Sequence, residues 1–370
     1  MDGIVVADFT RVLAGPLATM TLGDLGADVV KVERPGAGDE TRGWQPPTAA
    51  NGQSTYFLAV NRNKSSIALD LSTSEGRSAA KELALRADVV VENFRPGTME
   101  RFGLGYETLA AQRPTLIYAS LTSFGPDGGD AAGYDFLVQA VGGLMSITGF
   151  SDGDPTKVGV AVVDVLAGQN LVTGILAALL HRERTGQGQR VEVNLLSSVL
   201  AGLVNQASAY LNAGVVPGRL GNRHPSIAPY QAVAAADRLV VLAVGNDGQF
   251  QRLAEVLAAE PDPVDLGRDP RFATNAQRVA HVDALTEALH RALAARPAAY
   301  WVDRFTTAGV PCGAVNTVAD AFDLAESLGL RSVVRLHQDD GAEVASVACP
   351  IDFSLTPATY RVPPPGSRTG

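Results

Sequence analysis

Short apolar runs alternate with helical patterns through the first third of the chain, and that alternation leaves few folds open. Ile4-Val5-Val6 leads into Asp8-Phe9-Thr10, and a helix is predicted over 17–25. Asp28-Val29-Val30-Lys31-Val32-Glu33 reads as a second strand, 67–71 as a third, 74–86 as a helix, Asp88-Val89-Val90-Val91 as a fourth strand and Leu116-Ile117-Tyr118-Ala119-Ser120 as a fifth. Strands this apolar must be covered on both faces, which implies an α/β fold with a parallel, Rossmann-like sheet between helices. In such sheets ligands bind beyond the carboxyl ends of the strands.

Further along, 164–184 reads as one long apolar helix stopped by Thr185-Gly186-Gln187-Gly188. A strand over 190–194 and an apolar helix over 195–211 follow. Residues 214–229, rich in Gly, Pro, Asn and Arg, read as a linker or functional loop. Strands over 230–235 and 239–244, with helices near 249–258, 282–294 and 298–308, suggest a smaller α+β domain. The expected division of the 370 residues is therefore 1–213 as a large domain, 214–229 as linker and loop, 230–308 as the small domain and 309–370 as a return to the large one.

Several function classes fall away. A dinucleotide fold needs GxGxxG in its first turn, but the turn here, Thr10-Arg11-Val12-Leu13-Ala14-Gly15-Pro16, has one glycine. The Walker pattern is missing too. A formal charge of −9 argues against nucleic acid and anionic membrane as partners, and an anionic ligand would need locally gathered arginines. Two cysteines give no disulfide framework, and Cys312, beside Val310 and Pro311, reads as a buried core thiol. The five histidines show no HExxH pairing, so no metal is implied. No leader-like N-terminus and no uninterrupted apolar run of spanning length is evident, so a cytoplasmic location is expected.

Several segments carry a resemblance. They are Asp8-Phe9-Thr10 with Ala14-Gly15-Pro16, residues 25–34, Asn61-Arg62-Asn63-Lys64 leading to Leu69-Asp70-Leu71, and Ala87-Asp88 leading to Glu92-Asn93-Phe94-Arg95-Pro96-Gly97. Tyr134-Asp135 with Gln139-Ala140, Asp164, Thr185-Gly186-Gln187-Gly188-Gln189 and Gly309-Val310-Pro311-Cys312 complete the series. In this order the chain resembles the class III CoA-transferases over almost its whole length. The resemblance implies a large CoA-binding domain, an interlocked homodimer, and acyl-CoA with a small carboxylic acid as substrates, without a permanently bound cofactor.

On its residues alone Asp164 reads as a helix N-cap; the resemblance implies that it is the nucleophile. The readings are compatible, because a helix N-terminus would depress its pKa and keep it ionised at neutral pH. An ionised carboxylate can form a mixed anhydride, and then an aspartyl-CoA thioester, in a dry site with oxyanion donors. By the same resemblance Val12, Leu13 and Ala14 lie against CoA, as do Leu69, Asp70, Leu71 and Ser72 and, near the pantetheine, Asn93, Phe94 and Arg95. Arg34 and Arg101 would hold the nucleotide end, and Tyr134 would lie near the reacting atoms. Gly221, Asn222, Arg223 and His224 match a small-domain loop that closes over the carboxylate, with the Gly221 backbone as an oxyanion donor.

Two departures bear on substrate. Leu13 stands where formyl-CoA transferases carry Gln, and His224-Pro225-Ser226-Ile227-Ala228-Pro229-Tyr230 replaces their glycine-rich loop. Formate and oxalate are therefore disfavoured, and succinate is a reasonable donor acid. The tail, residues 363–370, stands where the family usually adds a helix. A 2-methylacyl-CoA racemase shares the expected fold but needs a His before the Asp that is here Asp135; this chain has Tyr134. A non-catalytic acyl-CoA-binding protein is the third reading, and the intact Asp164 speaks against it.

Overall fold

The computed structural model describes residues 1–128 and 133–366. Strands β1 (Val5–Phe9), β2 (Asp28–Glu33), β3 (Lys64–Ala68), β4 (Val89–Glu92), β5 (Ile117–Thr122) and β6 (Gln189–Asn194) form one sheet in the order β3-β2-β1-β4-β5-β6, with every pair parallel. The parallel α/β expectation holds. Strand order reverses between β1 and β4, which opens a crevice beyond their carboxyl ends. β3 begins three residues earlier than its apolar pattern suggests, because Lys64 is buried and paired with Asp8. A strand that opens on a lysine hides from a hydropathy reading.

Alternation along the strands divides the core. Val89 and Val91 face one side with Val6, Ile117, Leu171 and Ile175, while Val90 faces the other with Phe9, Met99 and Leu104. Each such side chain, fully buried, contributes about 1.5–3 kcal/mol. The helix Val162–Thr185 crosses the helix Ala14–Asp24 so closely that a Cβ on Gly168 would lie 2.8 Å from the Ala14 carbonyl oxygen. Only glycine permits that approach.

Against the sequence expectation, Val162–Thr185 is long and apolar enough to span a membrane on composition. Half of that apolar stretch is buried in the fold, and Val163, Ala167, Leu171 and Ile175 make it a core helix. The helix expected over 195–211 is two, Leu195–Gly202 and Val204–Ala213. It breaks where Val204, a β-branched residue, takes φ +41°.

The chain divides into two compact units, the first holding 1–145, 157–216 and 329–370 and the second 146–156 and 217–328. In the second, β7 (Tyr230–Ala234), β8 (Leu239–Ala243) and β9 (Cys312–Ala314) form an antiparallel sheet. Its helices Asp247–Ala258, Val282–Leu293 and Ala298–Thr307 enclose Phe250, Leu289, Trp301 and Phe305. The sequence reading sent the chain back to the large domain at 309. Instead β9 completes the second unit's sheet and the helix Val318–Ser327 stays with it. Cys312 is half-buried at the edge of that core, not fully inside it.

The first unit regains the chain at β10 (Val333–His337) and β11 (Glu343–Val347), an antiparallel hairpin. The following segment is pinned near Asn63. The Asn63 amide group donates to the Thr359 carbonyl at 2.7 Å and accepts from the Arg361 N–H at 2.7 Å. Beside it Arg62 makes a bidentate, buried pair with Asp24 at 2.9 and 2.6 Å. Residues 363–366 carry no helix, and the end of the tail, 367–370, lies outside the described residues.

Candidate active site

The site begins at the turn after β1. Asp8, fully buried, accepts from the Thr10 and Thr19 hydroxyls at 2.5 and 2.7 Å and pairs with Lys64 at 3.1 Å. Lys31, also fully buried, pairs with Asp39 at 2.8 Å and donates to the Thr10 carbonyl at 2.8 Å. Burial alone would push the Asp8 carboxyl up, but Lys64, Lys31 and the two hydroxyls outweigh it and hold the group below the usual carboxylate range. Val12 sits at φ +72°, strained for a β-branched residue, and its N–H donates to Asp39 Oδ1 at 3.4 Å. Across the crevice, the Asn93 side chain accepts from the Arg11 N–H at 2.9 Å and donates to the Arg11 carbonyl at 2.8 Å. The two sides of the switch point are thereby tied together.

A cavity of about 370 Å³ opens there. It brings together Val12, Leu13, Ala14, Asn93, Phe94, Arg95, Tyr134 and Asp164. Asp164 is 9% exposed and is the third residue of its helix, not the cap. The capping is done by Asp135, whose Oδ1 accepts the Val163 N–H at 2.8 Å and the Asp164 N–H at 3.3 Å. Its Oδ2 accepts from Gln139 Nε2 at 2.6 Å.

Asp164 is therefore not depressed in pKa as the helix-terminus reading implies. Burial, and then the neighbouring Asp135, push its carboxyl up to about 7. The amides that would have stabilised its anion are taken by Asp135. Tyr56 lies in the same field: burial, then Asp164, Asp135 and Asp39, push its phenol up to about 12.

A second cavity, of about 720 Å³, lies beyond the carboxyl ends of β2 and β3 and gathers Arg34, Leu69, Asp70, Leu71 and Ser72. Arg11, Glu40 and Phe94 line both cavities. The Arg11 guanidinium sits 4.8 Å from the centre of the Phe94 ring and pairs with Glu40 at 2.9 Å. Among the described residues Arg34, Arg95 and Arg101 make no salt bridge, which leaves three cations for an anionic ligand in an acidic protein. Arg101 lies on the short helix Thr98–Arg101, donating to the Thr98 hydroxyl, and is on neither wall.

Gly221, Asn222, Arg223 and His224 belong to the second unit. The Gly221 N–H donates to the Gly149 carbonyl at 2.9 Å, so it is not the free oxyanion donor that was expected. Arg223 pairs with Asp283 at 2.6 Å, and the His224 ring packs 5.4 Å from Tyr230. Sequence reasoning missed Arg11, Glu40, Tyr56 and Asp135. Arg11 was findable from its place in the first turn after β1; Asp135 had been read only as the neighbour of a missing histidine.

A carboxyl pushed up toward neutrality, buried on a cleft wall that also carries Arg95 without a salt bridge, suits an α/β enzyme of acyl-group transfer. Known proteins narrow the class. A family described as CoA-transferase family III matches residues 1–368. A succinate–glutarate CoA-transferase of Agrobacterium fabrum is 43% identical, covering 99% of this chain and 92% of its own. An acetyl-CoA:oxalate CoA-transferase of Acetobacter aceti is 43% identical over 90% of this chain and 85% of its own. A crystal structure of a CaiB/BaiF family protein from Brucella suis superposes with a TM-score of 0.87 at 41% identity, covering 99% and 95% of the two chains. The chain belongs to CoA-transferase family III and is an enzyme that transfers CoA.

Proposed function

We propose that this enzyme moves CoA from an acyl-CoA to a carboxylic acid through covalent adducts on Asp164. The observation that carries this reading is the Asp164 carboxyl on the cleft wall, buried and poised near neutral pH. One carboxylate oxygen attacks the thioester carbonyl, the C–S bond breaks, and CoA leaves as thiolate from a mixed anhydride. The thiolate attacks the aspartyl carbonyl of that anhydride, releasing the donor acid and leaving an aspartyl-CoA thioester. The acceptor carboxylate then repeats both steps in reverse order, and Asp164 is regenerated.

The larger cavity suits the nucleotide end of CoA, with Arg34 on its wall for a phosphate and 69–72 beside it, and with Arg101 reaching the phosphates from the helix Thr98–Arg101, outside that wall. Residues 93–95 and 12–14 would guide the pantetheine arm past Arg11 into the smaller cavity. Succinyl-CoA as donor and a short dicarboxylate as acceptor are supported by the names of the relatives. The sequence argument against oxalate carries no weight beside a 43% identical relative named for oxalate. Exposed apolar side chains on the first unit, among them Phe136, Leu180, Val204, Leu211 and Val216, support a homodimer, which light scattering can check. A cytoplasmic location accords with two free cysteines.

The test is Asp164→Ala. Turnover should vanish while CoA affinity stays within a few fold, and succinyl-CoA should leave a CoA-sized mass on the wild type alone. Transfer by a folded Asp164→Ala protein would refute the reading. No histidine is among the described residues lining the Asp164 cavity, so α-deuterium should not enter a 2-methylacyl-CoA in deuterated buffer. Its entry at a catalytic rate, with no new CoA ester, would make the enzyme a racemase.

A further inference from the structure

We propose that Asp135 is a positioning residue that orients Asp164 while keeping its carboxylate poorly stabilised, and so drives Asp164 toward its acylated forms. This rests on Asp164 being the nucleophile. Asp135 opens the helix Asp135–Val141 and is 9% exposed. Both its oxygens are committed, one to the Val163 and Asp164 amides and the other to Gln139. Gln139 is fully buried, and its Oε1 accepts the Val158 N–H at 2.8 Å, so the carboxylate cannot swing away. The positive end of the Val162–Thr185 helix is thus neutralised by Asp135. Among the described residues nothing donates a hydrogen bond to the Asp164 carboxylate.

The charges around Asp164 fit this role. Tyr134 shares its cavity, and the phenol of Tyr56, pushed up to about 12 by burial and then by Asp164 and Asp135, stays neutral beside the two carboxylates. Arg11 on the same cavity wall is paired with Glu40, which leaves Arg95 as its cation without a salt bridge. When Asp164 attacks a thioester, its oxygen lone pair forms the C–O bond and the C–S pair leaves with sulfur. One negative charge moves from beside Asp135 to the departing CoA thiolate. Whatever free energy Asp135 costs the Asp164 carboxylate therefore reappears as driving force for the adduct. A tenfold gain in adduct over free enzyme corresponds to one pH unit in the ionisation of Asp164.

Asp135→Asn keeps an acceptor for the helix amides and removes the charge; Asp135→Ser is a second neutral cap. Each variant, checked by thermal melting, would be mixed with succinyl-CoA without acceptor acid. The adduct would be read by intact mass, and the single-turnover rate from pH 5 to 9. The acid limb should fall by about one pH unit and the equilibrium adduct by about tenfold. An unchanged acid limb with a rate lowered equally at every pH would mean a purely structural role and overturn the proposal. If both variants misfold, carbon-13 titration of aspartate carboxyls in the wild type decides, with the Asp164 signal assigned by its loss in Asp164→Asn. Titration near 7 supports the proposal, and titration near 4 overturns it. Transfer without any Asp164 adduct on the wild type would instead sink the nucleophile reading, and this proposal with it. An adduct with an unmoved acid limb would sink this proposal alone.

Discussion

Replacing Asp164, the proposed nucleophile, with its neutral isostere should make the protein more stable, and only at higher pH. In the folded protein the Asp164 carboxyl is pushed from an ordinary 3.8 up to about 7. At about 1.36 kcal/mol per unit, its ionised form costs the fold about 4 kcal/mol at pH 8. The sign follows from proton counts. Between roughly pH 4 and 7 the folded chain holds a proton on Asp164 that the unfolded chain has lost, so stability falls as pH rises through that window. Asp164→Asn removes the titration. The variant should exceed the wild type by up to about 4 kcal/mol at pH 8, by about 2 kcal/mol at pH 5, and hardly at all below pH 4. Urea unfolding at the three pH values measures this, with activity lost throughout. A gain that does not change with pH, or no gain at pH 8, would refute the reasoning.

The other predictions concern the CoA groove and the chain's anchor. Arg34→Ala and Arg101→Ala should each weaken CoA binding tenfold or more by calorimetry, since a charge-assisted phosphate contact contributes about 1.5–3 kcal/mol; unchanged affinity in both would remove the arginines from the site. Arg62→Ala should destabilise the protein by about 3–5 kcal/mol in urea unfolding, because it strands the buried Asp24 carboxylate. A loss below 1 kcal/mol would mean that the pair is not desolvated in solution.

The parallel sheet was legible because the strands are apolar on both faces, and a run such as Val89-Val90-Val91 has few other uses. The breaks were not. Val204 interrupts a helix without proline, and Gly202, two residues earlier, is the one local mark of the break. Asp164 was legible as a residue but not as an environment. Its spacing from the helix start suggested a cap, whereas the true cap comes from Asp135, 28 residues before Val163 and on another helix. Only the tertiary fold brings two carboxylates together and reverses the expected direction of the shift. The groove residues 69–72 and 93–95 could be placed by the resemblance, but Arg11 and Glu40 were not seen as a wall common to two cavities until the turn after β1 was built.

The pinning of the last segment by Asn63 has a consequence in time. The Asn63 side chain waits for Arg361, 298 residues further along, and the Asp24–Arg62 pair lies at the same anchor. At roughly 5–20 residues per second, a ribosome needs about 15–60 s to cover that interval. Until then the first unit holds a desolvating ion pair and an asparagine whose backbone partners do not yet exist. The whole of the second unit, 146–156 and 217–328, is synthesised within that wait. The first unit is thus the first begun and the last completed, and a chain stalled after residue 328 would carry an unfinished first unit together with a second unit already able to close its own core.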